Sequence, residues 1–148
     1  LTRITIPDSV ISIGSNAFVT NAEKASYATL FTKLAFPKLK SIGNNAFFGS
    51  TYVTEINLPA IETIGEMAFG SCQRLVTVKL SASYTTIANA TFYYCVNLKD
   101  FDFSHIERIE SMAFLTYASP QISMASNFPP TYNFPLAMPL MSLANDVM

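Results

Sequence analysis

A chain of 148 residues, half of them hydrophobic, has the length of one ordinary domain and enough apolar side chains for a substantial core. Nine basic residues against ten acidic ones leave a net charge of −1, so electrostatics offers no case for a nucleic-acid or anionic-membrane partner. No run of about 18 apolar residues exists to cross a membrane as a helix, and a start at Leu1 without a leader pattern predicts a piece of a longer protein.

The first element in the chain, "ITIPDSVISIGSNAF" (residues 4–18), is one copy of a recurring unit. Its ending returns as "IGNNAF" (Ile42 to Phe47) and "IGEMAF" (Ile64 to Phe69), then with substitutions as "IANATF" (Ile87 to Phe92) and "IESMAF" (Ile109 to Phe114). The first step, from Phe18 to Phe47, is long, and the later steps to Phe69, Phe92 and Phe114 are nearly equal. A period in the twenties predicts a solenoid with one supersecondary unit per turn. Each unit opens with apolar residues at positions 1, 4 and 6, as in Phe31/Leu34/Phe36 and Val53/Ile56/Leu58. The alternation at the last two predicts a short strand with one buried face. Pro7, Pro37 and Pro59 follow the first three strands, where proline costs no ladder donor. A second apolar edge comes from Val10/Ile13, Leu39/Ile42, Ile61/Ile64, Tyr84/Ile87 and Ile106/Ile109. Gly14, Gly43 and Gly65 then mark a sharp turn, and Phe18, Phe47, Phe69, Phe92 and Phe114 are expected to stack as an aromatic spine. A lone unit is unstable: about seven apolar side chains at roughly 1.5–3 kcal/mol each do not offset ordering about 22 residues. Stacking is therefore obligatory.

Along the chain the units differ in instructive ways. The surplus of the first step lies in an insertion at about residues 19–30, whose Ala, Glu, Lys and Leu predict a helix. Units three and four carry Cys72 and Cys95 three residues after the spine phenylalanine, in register with Ser50, and both are expected to be reduced members of an inner column. Ala88 and Glu110 replace the turn glycine in units four and five, so either the turn needs no positive φ or these units are distorted. Residues 118–148 hold five prolines, four methionines and a single charge, Asp146, and are read as a Pro/Met-rich cap or tail. The domain plan is five coils over 1–117, followed by that segment.

The runs "LTRITIPDSVISIGSNAF" and "YVTEINLPAIETIGEMAFGSCQRLVTVKL" resemble leucine-rich repeats of the BspA-like type, written roughly Leu-x-x-Ile-x-Leu-Pro and then Ile-Gly-x-x-Ala-Phe-x-x-Cys. The resemblance covers residues 1 to about 117. It implies a right-handed, mostly β solenoid of short parallel strands with few helices, found in secreted or cell-surface proteins and often associated with adhesion.

Chemistry is sparse. His105 stands alone and is read as a solvated loop residue, Cys72 and Cys95 have no metal-ligand spacing, and no phosphate loop occurs, so no catalytic, metal or cofactor site is expected. Asn89-Ala90-Thr91 is a glycosylation sequon by pattern. What remains is a surface. Residues between the inward positions of each first strand must point outward, giving Thr5, Ala35, Asn57, Lys79 and Asp102 beside Arg3, Lys33, Glu55, Thr77 and Asp100. Because these change at every coil, the expected function is a non-catalytic module binding a protein or glycan on this face. The alternative is a structural spacer with no ligand of its own. The face covers on the order of 500 Å², below the roughly 800 Å² per partner of a standard stable interface.

Overall fold

The computed structural model describes residues 4–20 and 31–116. The described chain winds as a right-handed solenoid of short parallel strands, and no helix occurs among the described residues. One side of coils 2 to 5 carries the first ladder: β2 (Lys33–Ala35), β4 (Glu55–Leu58), β6 (Thr77–Leu80) and β8 (Asp100–Phe101), adjacent in that order. The second side carries two-residue strands. Of these β1 (Ser12–Ile13), β3 (Ser41–Ile42) and β5 (Thr63–Ile64) form one sheet, and β7 (Thr86–Ile87) with β9 (Arg108–Ile109) another. In the first ladder Lys33, Glu55, Thr77 and Asp100 lie in register, as do Leu34, Ile56, Val78 and Phe101. Register fixes facing: the second row is buried and the first is turned outward.

The third side has no strand, yet it is bonded at every described boundary. Here the lower coil donates upward: Phe18 N–H to the Ala46 carbonyl at 2.7 Å, Phe47 to Ala68 at 2.8 Å, Phe69 to Thr91 at 3.0 Å and Phe92 to Ala113 at 2.8 Å. On the first ladder the direction is reversed, with Thr54 N–H donating down to the Thr32 carbonyl at 2.8 Å and Val76 to Thr54 at 3.0 Å. Within the coil the Phe spine forms as expected. Centroids of Phe18, Phe47, Phe69, Phe92 and Phe114 follow at 5.3, 5.6, 5.7 and 5.5 Å, and the last three steps are within 10° of parallel. Rings stacked at this spacing are in contact, so the spine is one continuous aromatic column through the coils.

The turn glycines have a different role from the one their position suggests. Positive φ falls two residues later, at Asn16, Asn45, Met67, Ala90 and Met112, and again at Gly49, Ser71 and Tyr94. Gly43 and Gly65 are needed for close approach instead: a Cβ there would collide with the Ser15 nitrogen and with Asn44 Oδ1 of the coil below. The first coil also departs from expectation, since Ile4 to Ile6 form no strand. The predicted helix falls on the insertion, whose residues 21–30 lie outside the described residues, while Val19 and Thr20 are not helical. Residues 117–148 and Arg3 lie outside them as well.

Candidate binding face

Alternation along β2, β4 and β6 turns Lys33, Ala35, Glu55, Asn57, Thr77 and Lys79 away from the core, and Asp100 and Asp102 continue the two rows in coil 5. Thr5 is exposed on coil 1, although no strand carries it. The charges alternate more than they grade from one end to the other. Lys33 Nζ lies 3.0 Å from Glu55 Oε2, and this hydrogen bond, with the lysine's charge, holds the glutamate below the ordinary carboxylate range. Asp102 is also held below that range, chiefly by the Ser104 amide, which donates to its Oδ1 at 2.8 Å. Among the described residues no carboxylate forms an ion pair with Lys79, Lys99 or Arg74.

Arg74 and Tyr52 stand beside this face. The guanidinium lies 4.8 Å from the ring centroid, and Tyr52 is 40% exposed. In the next coil Asn97 Nδ2 donates to the Gln73 carbonyl at 2.7 Å. A cation held on an aromatic face keeps its outward donors in place, the arrangement favoured at recognition surfaces. Neither residue is among those the strand alternation selects. Their signal is positional: each precedes the first apolar position of its coil, Val53 or Leu75, so the two stand one repeat apart.

The remaining chemistry is closed off. Cys72 and Cys95 are free, buried and aligned as expected, each thiol donating to the spine carbonyl of the coil below, Phe47 at 3.5 Å and Phe69 at 3.1 Å. Burial pushes the Cys72 thiol up to about 12 and that of Cys95 well above its ordinary value. His105 is not solvated as expected: its side chain is 18% exposed, Nδ1 is 3.9 Å from Asp102 Oδ2, and Nε2 is buried without a hydrogen-bond partner. The sequon is occluded, because Thr91 is fully buried and its hydroxyl donates to the Ala88 carbonyl at 2.9 Å. Among the described residues no three metal-ligating side chains converge, and no helix is long and apolar enough to cross a membrane.

A short repeated coil with parallel ladders, an inner aliphatic row and a variable outward row defines a leucine-rich-repeat solenoid. The profile described as "BspA type Leucine rich repeat region" matches in six copies over residues 1–26 and 20–131, and the chain belongs to that family. That match runs past residue 117 into the segment read as a tail. Among solved structures, the chain is similar to a leucine-rich repeat protein of T. pallidum (TM-score 0.67, 22% identity), with 82% of this chain and 56% of that one covered. It is also similar to a leucine-rich cell surface protein of Faecalibacterium prausnitzii A2-165 (TM-score 0.48, 20% identity; 83% and 48% covered). The chain thus spans about half the length of each. No curated protein matches it.

Proposed function

We propose that the chain is a non-catalytic recognition module of a secreted or cell-surface protein, binding a protein or glycan on its first-ladder face in an adhesive role. One observation supports this reading above the rest. In one register the inward row repeats Leu34, Ile56, Val78 and Phe101, while the outward row beside it changes from Lys33 to Glu55 to Thr77 to Asp100. Burial constrains the first row, and nothing in the packing constrains the second, so its variety is available for specificity. The Tyr52–Arg74 stack extends the same surface with residue types that carry binding energy at interfaces.

The test uses the immobilised chain against a glycan array and a set of purified cell-surface proteins. Reversing Lys33, Lys79, Asp100 and Asp102 together should remove capture while the melting temperature barely moves. Capture that survives all four reversals places the binding surface elsewhere.

A further inference from the structure

Among the described residues, one boundary of the solenoid is open on one side only. On the second side, Gly43 N–H donates to the Ile13 carbonyl and Gly65 N–H to the Ile42 carbonyl, both at 2.8 Å, closing coils 1 to 3. Coil 5 closes on coil 4 in the same way, with Glu110 N–H to the Ile87 carbonyl at 2.9 Å and Glu107 N–H to Thr85 at 2.8 Å. The equivalent residues of coil 4 are Thr85, Thr86 and Ala88, and β7 does not pair with β5. A neighbouring polar ladder stops at the same place. Asn44 N–H donates to Ser15 Oγ at 3.1 Å and Glu66 N–H to Asn44 Oδ1 at 3.0 Å, each to the coil below, whereas Asn89 N–H turns to Glu110 Oε2 of the coil above at 3.2 Å.

Two local features set coil 4 apart from the coils that close. Coil 4 has one more residue between Leu80 and Ile87 than coil 3 has between Leu58 and Ile64, taken up in a turn where the Ser81 and Ser83 hydroxyls meet at 2.7 Å. Tyr84 replaces the aliphatic Leu39 and Ile61 and buries a phenol beside Ala88 and Thr91, and the buried Oδ1 of Asn89 has no hydrogen-bond partner. Ala88 occupies the glycine position, but Glu110 does so in coil 5, which closes on coil 4, so a Cβ there does not by itself open the boundary. The other two sides of this boundary are intact. β4 pairs with β6 over four residues, and Phe69 N–H meets the Thr91 carbonyl at 3.0 Å and Ser71 N–H the Tyr93 carbonyl at 2.6 Å.

We propose that the boundary between coils 3 and 4 is a seam, at which the solenoid opens as a wedge on its second side while the first ladder and the third side act as the hinge. A buried polar atom without a partner and missing ladder bonds lower the free energy of opening on this side relative to the other described boundaries. The motion alters the curvature of the first-ladder face. Only that consequence rests on the binding reading, for the seam itself needs no ligand.

Amide hydrogen exchange of the intact chain, resolved by NMR and corrected for intrinsic rates, tests it. Thr85, Thr86 and Ala88 should exchange at least tenfold faster than their counterparts Glu62, Thr63 and Gly65 and than Glu107, Arg108 and Glu110. Val76, Thr77 and Phe69, on the hinge sides, should remain protected. Equal protection of the three seam amides and their counterparts overturns the proposal, and so does exchange of Val76 and Phe69 as fast as Ala88, because the whole boundary would then separate. A variant addresses the cause. Deletion of Ala82, which gives the turn the length it has in coil 3, should slow exchange at residue 88 about tenfold, and unchanged exchange in a folded variant overturns the assignment of the gap to the longer turn. If that variant does not fold, the comparison within the unaltered chain decides.

Discussion

Asn16 and Asn45 sit in the left-handed region at φ 60° and 56°, where their short polar side chains are tolerated. The same place in later coils is held by Met67, Ala90 and Met112 at φ 53°, 54° and 56°, none of which is suited to it. Each such residue costs on the order of 1–2 kcal/mol, which the ladder bonds of the third side must offset. Met112 is 41% exposed, so replacing it removes little packing. Met112→Asn should therefore stabilise the chain by about 1 kcal/mol. A urea midpoint that rises with an unchanged slope meets this expectation; one that stays or falls shows that the position carries no strain.

At the scale of one coil on the next, glycine decides how closely two elements approach. Gly65 N–H reaches the Ile42 carbonyl only because no Cβ stands between its coil and Asn44. Gly65→Ala should cost about 1–3 kcal/mol, the usual range for forcing a methyl into a packed site. Gly14 has nothing within 4 Å of the place its Cβ would take, so Gly14→Ala should change stability by less than about 0.5 kcal/mol. Chemical denaturation of the two variants side by side separates close approach from turn geometry, because both glycines hold the same position in the repeat. Equal losses would assign the glycine to the turn instead. Two coils carry a side chain at this position naturally: the ladder is interrupted at Ala88 but continues at Glu110.

Across the whole molecule the coils share one core, so the state of any buried group is tied to folding of the stack. Cys72 and Cys95 hold their protons more tightly folded than unfolded. The stability that this difference contributes is complete below the ordinary thiol value of about 8.5, and it is lost as pH rises from there toward about 12. Each thiol should contribute a slope of about 1.4 kcal/mol per pH unit in that window. Urea midpoints under reducing conditions should fall steadily from pH 8.5 to 10.5, and Cys95→Val should roughly halve the slope. A flat profile would mean that the thiols reach solvent without unfolding.

The period of the Ile-Gly-x-x-Ala-Phe motif is enough to establish the solenoid, the inward row of each first strand and the phenylalanine spine. These follow from sequence because burial acts on every coil alike and so leaves a repeated pattern. The outward row of the candidate face is legible for the same reason, as the complement of the buried one. Three things are not. The role of Gly43 and Gly65 depends on the backbone of the preceding coil, which local turn chemistry does not reveal. The hydrogen-bonded third side has no apolar alternation to announce it, since its ladder is built from turns with left-handed residues. The burial of His105, the stacking of Arg74 on Tyr52 and the open side between coils 3 and 4 arise from residues brought together only when one coil is laid on the next. Repetition writes the coil into the sequence, whereas contacts between unlike coils exist only in the assembled stack.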